Sequence, residues 1–181
     1  SMHAGDLGTF QDGIGSLFWI EITHKKWSRN QKAGLLRLNA DLTNFYTANK
    51  HLGLSSIYPM VLSQIKSEGH YPVLKSKAAQ CRHLAEFALI LAQKHRYGSR
   101  GRDPFEFTAA HHLAGHTDEH LGHLVAMFDG LARYHRPCAT SPFDEQACRQ
   151  ALYQYLQALA GLHNLWRLGL GVEECRRMPF S

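Results

Sequence analysis

The chain is 181 residues long, with 44% hydrophobic and 19% charged residues and a formal net charge of +5. That composition excludes wholesale disorder, and the length favours one domain able to bury a core without disulfide or metal staples. The longest uncharged run, between Arg149 and Arg167, is interrupted by Gln150, Gln154, Gln157, His163 and Asn164 and is no membrane span.

Helical periodicity dominates the chain. Phe10, Ile14, Leu17 and Phe18 mark a first apolar stripe, weakened by Gly13 and Gly15. It runs into Phe18-Trp19-Ile20-Glu21-Ile22, which reads equally as a short strand. A second helix is expected from Ser28, where Ser28-Arg29-Asn30-Gln31 has the pattern of a capping box. Its stripe is Leu35, Leu38, Leu42 and Phe45, with Gly53 following its end. A short element is expected around Pro59 to Ile65. Beyond Pro72, a helix carries Leu84, Phe87, Ala88 and Leu91 and is closed by Gly98.

Gly98-Ser99-Arg100-Gly101-Arg102 is the best linker and reads as a subdomain boundary at 98–102 or, more simply, as a flexible interhelical loop. Asp103, Pro104 and Glu106 then write a helix start. The pattern continues through Leu113, Leu121, Leu124, Phe128 and Leu131 to Pro137, and Gly115 is a point at which it divides. A last helix opens with Ser141-Pro142-Phe143-Asp144 and carries Leu152, Tyr155, Leu156, Leu159 and Leu162. The expectation is an all-α single domain over 1–181, an irregular helical bundle of five to seven helices. Leu38, Leu42, Leu84, Phe87, Leu124, Phe128, Leu152 and Leu156 are its expected core, each sitting mid-stripe.

Charge is unevenly divided. Residues 1–102 hold 14 Lys+Arg against 6 Asp+Glu, a net +8, and residues 103–181 hold 6 against 9, a net −3. Lys25, Lys26, Arg29 and Lys32 cluster around the start of the second helix. The macrodipole prefers anions at that end, so stability gives no reason to gather cations there, whereas a phosphate partner does. These four residues are the candidate nucleic-acid contacts, and DNA is the candidate partner. The alternative is a solvated face. Trp19, Trp27, Tyr46, Tyr58, Tyr71 and Tyr97 are interleaved with the cations, as base-stacking or core-edge rings.

The second candidate site is a histidine series. With His112 at 0° on a helical wheel, His123 falls at about 20°, His116 at about 40° and His120 at about 80°. Imidazoles four residues apart reach one metal ion, so zinc is the candidate cofactor. A polar stripe edging the core accounts for the same pattern. Cys81, Cys138, Cys148 and Cys175 form no C-x-x-C pair and read as reduced thiols of an intracellular protein. Neither a nucleophile elbow, a P-loop nor a dinucleotide fingerprint is present, so no catalytic residue is assigned.

The segment Met2-His3-Ala4-Gly5-Asp6-Leu7-Gly8, followed by an apolar helix through Leu17 and Trp19, resembles the M-H-x-x-x-L-G segment of eukaryotic DNA-transposon proteins. The family is the CACTA and Plavaka type, with an RNase H-like transposase of the DDE class. The match rests on Met2, His3, Leu7 and Gly8. In that family the segment follows a metal-binding aspartate, which here would precede Ser1. The resemblance implies that this chain is a fragment of a longer protein, the helical insertion of a nuclear, DNA-handling enzyme whose parent uses magnesium. It implies no activity for the fragment alone, and partners among DNA, the rest of a parent catalytic domain, or a second copy. Two alternatives stand beside it: a helical protein-interaction module without a nucleic-acid role, and a histidine-rich metal-binding helical protein.

Overall fold

A computed structural model describes residues 8–23, 30–66, 72–97, 118–138 and 144–167. Among them the chain is all-α, with six α-helices and no strand. The helices are α1 (Thr9–Thr23), α2 (Gln31–Ala48), α3 (Leu62–Ile65), α4 (Ala78–Tyr97), α5 (Asp118–Cys138) and α6 (Glu145–Arg167), with a 3₁₀ turn at Lys50–Leu52. Two compact units are present, Ser1–Phe87 and Ala88–Ser181, and the division falls inside α4. The linker at 98–102 and the helix start at Asp103 lie outside the described residues.

In the first unit α1 is the buried centre. Phe10, Ile14, Leu17, Phe18, Ile20 and Ile22 are all core residues, so the helix is covered on nearly every side. The segment Phe18 to Ile22, ambiguous in sequence, is the last part of this helix. A short apolar run offers no periodicity to separate helix from buried strand, and tertiary packing decided it. Gly15, read in sequence as a weakness, is the reason a second segment can cross. A Cβ there would lie 2.7 Å from the Val73 carbonyl carbon and closer still to the Leu74 nitrogen. Across that gap the Leu74 N–H donates to the Gln11 carbonyl at 3.0 Å, and Gln11 Nε2 donates to the Ser76 carbonyl at 2.7 Å. Gly34 does the same for the end of α1, where a Cβ would meet Ile22 Cα at 2.8 Å.

The start of α2 differs from the expected one. Asn30, extended at φ −158°, is the N-cap, and its Oδ1 accepts the Ala33 N–H at 2.9 Å. Asparagine caps as well as serine does, and the helix therefore begins after Asn30 rather than at Ser28. Leu38, Leu42 and Phe45 face inward as expected. Phe87 of α4 completes this core, its ring 5.8 Å from Phe18 and 5.3 Å from Phe45, edge-on or tilted, as aromatic quadrupoles favour. Asn39 holds the approach to α3 by both ends of its amide, donating to the Met60 carbonyl (2.9 Å) and accepting the Met60 N–H (2.8 Å).

In the second unit α5 and α6 form an antiparallel hairpin. His123 lies over Gly161, Gln154 Nε2 donates to the Ala126 carbonyl (3.2 Å) and to Asp129 (2.9 Å), and Cys148 Sγ approaches the Tyr134 carbonyl. At Gly130 a Cβ would meet the Tyr155 nitrogen at 2.8 Å and the Ala151 carbonyl at 3.0 Å, so the two backbones run close. Leu124 and Phe128 are buried on α5 as expected. On α6 the expected core is corrected. The inward residues are Cys148, Ala151, Tyr155 and Ala158, while Leu152 and Leu156 are exposed. Three of these four inward positions carry small side chains, which suits a close helix pair, and Tyr155 is the one large exception; Leu152 and Leu156 sit roughly 40–80° around the wheel from Cys148. Asp144 caps α6 by accepting the Ala147 N–H at 2.9 Å.

Candidate functional site

The basic cluster is described only at its last member. Lys32 is exposed in the first turn of α2, and that turn holds no carboxylate. Lys25, Lys26 and Arg29 lie outside the described residues. The helix start that would supply N–H donors to an anion is at Asn30–Gln31, immediately after them in sequence.

Of the histidine series, His112 and His116 lie outside the described residues, and His120 is on α5 with its side chain outside them. His123 is half-buried, and its ring lies against the α6 backbone. A Cβ at Gly161 would stand 2.6 Å from both ring nitrogens. The imidazole there fills the gap left by a glycine in the hairpin. Among the described residues, no group of three or more His, Cys, Asp or Glu is placed to hold a metal ion. The transposase resemblance assigns no residue of this chain as a magnesium ligand.

A polar node that the sequence did not single out lies in the first unit. His83 Nδ1 accepts the Ser55 N–H at 2.7 Å, a bond that only an unprotonated Nδ1 can make. Burial lowers the His83 pKa from its ordinary value, and the neighbouring Arg82 charge lowers it further. Gln80 Nε2 donates to the Ser56 carbonyl at 2.7 Å, and the Tyr46 hydroxyl accepts the Ile57 N–H at 3.3 Å. Burial raises the Tyr46 pKa from its ordinary value, against the lowering effect of its hydrogen bonds to Ile57 and Ser56. Side chains from α2 and α4 thus hold the backbone of residues 55–57. Their partners are backbone atoms up to 28 residues away, and no spacing rule signals such a pair. Other polar groups among the described residues are equally structural. Lys66 Nζ sits 4.7 Å from the Trp19 ring centre, a cation over an aromatic face. Burial raises the Asp12 pKa. Cys81 and Cys148 are buried thiols.

Among the described residues no helix is long and apolar enough to cross a membrane. The chain matches no protein-family model, no curated protein and no solved structure.

Proposed function

We propose that this chain is a non-catalytic helical domain of a transposon-derived, DNA-handling protein, and that it contacts the phosphate backbone through Lys25, Lys26, Arg29 and Lys32. The observation that carries the reading is the placement of four cations around one helix start, against the preference of the macrodipole. Lys32 is exposed there with no carboxylate in the same turn, which leaves its charge available to a polyanion. The domain serves by positioning rather than by chemistry: it adds sequence-independent affinity, and the nuclear catalytic machinery belongs to its parent.

The test is retention on heparin and binding to random-sequence duplex DNA. Binding is expected on the order of micromolar to 0.1 mM at physiological salt and should collapse as salt rises. The double variant K26E/R29E should lose retention with unchanged helicity by circular dichroism. Retention that survives both reversals sinks the reading and leaves a protein-interaction module in its place.

A further inference from the structure

The loop from Gly53 to Val61 belongs to no helix, and its backbone hangs on side chains. The Ser55 N–H donates to His83 Nδ1 at 2.7 Å, and the Ile57 N–H to the Tyr46 hydroxyl at 3.3 Å. The Tyr58 N–H donates to Ser56 Oγ at 3.0 Å. The Met60 N–H donates to Asn39 Oδ1, and the Val61 N–H to Gln64 Oε1, each at 2.8 Å. The acceptors are thus one imidazole nitrogen, two hydroxyl oxygens and two amide oxygens. Amide and alcohol oxygens do not titrate in water, and a phenol ionises near pH 10. Of these five acceptors, only the imidazole loses its lone pair between pH 5 and 8.

That titrating acceptor holds the end of the loop that has least else to hold it. Ile57 and Met60 are buried and anchor the far part, whereas Leu54 and Ser55 are half-buried and Ser56 is exposed. Gly53, at φ +60°, is exposed with open space around it. Between Gly53 and Ile57 the attachments to α4 are His83 and, one turn before it, Gln80, whose Nε2 donates to the Ser56 carbonyl at 2.7 Å. A proton on Nδ1 does more than remove the first of these bonds. It sets a ring N–H against the Ser55 N–H, donor facing donor.

The charges around the ring keep the bond made at neutral pH. On its own helix His83 has Arg82 beside it and Glu86 three residues on, and α2 brings the Tyr46 phenol to the same loop. The loop itself carries no charged side chain, and the 3₁₀ turn before it carries Lys50 and His51, both exposed. Burial and the Arg82 charge both oppose the imidazolium, so it forms only below the ordinary histidine value of about 6.5.

We infer that residues 54–56 form an acid-released strap: proton uptake at His83 Nδ1 ejects the Ser55 N–H and detaches the strap from α4, while Ile57 and Met60 keep the rest of the loop in place.

The test is NMR on the full chain between pH 7.5 and pH 5, with amide exchange corrected for its intrinsic pH dependence. Ring nitrogen shifts at pH 7.5 should show His83 protonated on Nε2 and bare on Nδ1. As the ring takes up its second proton, protection of the Ser55 amide should fall relative to that of Met60 by at least about fivefold. His83→Asn puts an amide oxygen in place of Nδ1 and does not titrate, so the ratio should then be the same at both pH values. His51→Gln should leave the transition as it is in the natural sequence. A proton on Nδ1 at pH 7.5 overturns the inference, a result that needs no variant. So does ring protonation that leaves the ratio unchanged, a fall that persists in His83→Asn, or one that disappears in His51→Gln.

Discussion

Helices α1 and α6 are both rich in small residues, yet they are used in opposite ways. In α1 the helix is wrapped: core side chains point to nearly every side, and glycines admit neighbouring backbone at contact distance. In α6 one flank closes on α5 through Cys148, Ala151, Tyr155 and Ala158, and the other flank keeps Leu152 and Leu156 at the surface. The contrast teaches that apolar content alone does not tell how far round a helix is buried. What decides it is how many neighbours reach it. α1 is met by α2, by the residues leading into α4 and by Phe87, whereas among the described residues α6 is met along one seam.

That contrast can be broken most forcefully at Leu17, which is 1% exposed on α1. Leu17→Ala should cost roughly 2–5 kcal/mol in denaturant unfolding, from lost transfer energy and the cavity left behind. A cost under about 1 kcal/mol would mean that α1 is not the enclosed centre of its unit.

Gly15→Ala is the next largest. Alanine is the better helix former by about 1 kcal/mol, so a surface site would gain stability. Here the new Cβ would press on the backbone of Val73 and Leu74, and overpacking of that kind costs typically 1–3 kcal/mol. Backbone gives way less easily than a flexible side chain, so the variant should melt lower. A raised melting temperature would show that the crossing segment is loosely held.

The His83 node should make stability depend on pH. Folding lowers its pKa, so the unfolded chain binds the proton more readily. The stabilisation is therefore complete above the ordinary histidine value of about 6.5 and is lost as pH falls below it. The Ser55 bond contributes about 1 kcal/mol. Urea midpoints at pH 7.5 and pH 5 should differ less in His83→Gln than in the natural sequence. Equal differences would remove His83 as the titrating group.

The smallest effect is expected on the open flank of α6. Leu156→Ala, measured at low concentration, should change stability by no more than about 0.5 kcal/mol. A cost like that at Leu17 would show the second seam to be covered within one chain, and the contrast between the two helices would disappear.

Much of the helical layout was legible in the residues themselves. Stripes at 3.6-residue spacing located α2, α4, α5 and α6 and placed Leu38, Leu42, Leu84, Phe87, Leu124 and Phe128 in the core. The reason is local: a helix that must bury one face repeats its apolar residues at its own period. Two kinds of information were not local. Which of two adjacent seams on α6 turns inward depends on how closely α5 approaches, and that distance is set by Gly130 and Gly161 acting across the hairpin. The same is true of Gly15 and Gly34, weak helix formers by propensity, whose value lies in backbones that cross them from elsewhere in the chain. Sequence by itself determined the fold class, most of the helices and the uneven charge. Tertiary structure alone decided the phase of α6, the helical state of Phe18 to Ile22 and the pairing of His83 with Ser55, because each depends on a partner brought close only when the chain folds.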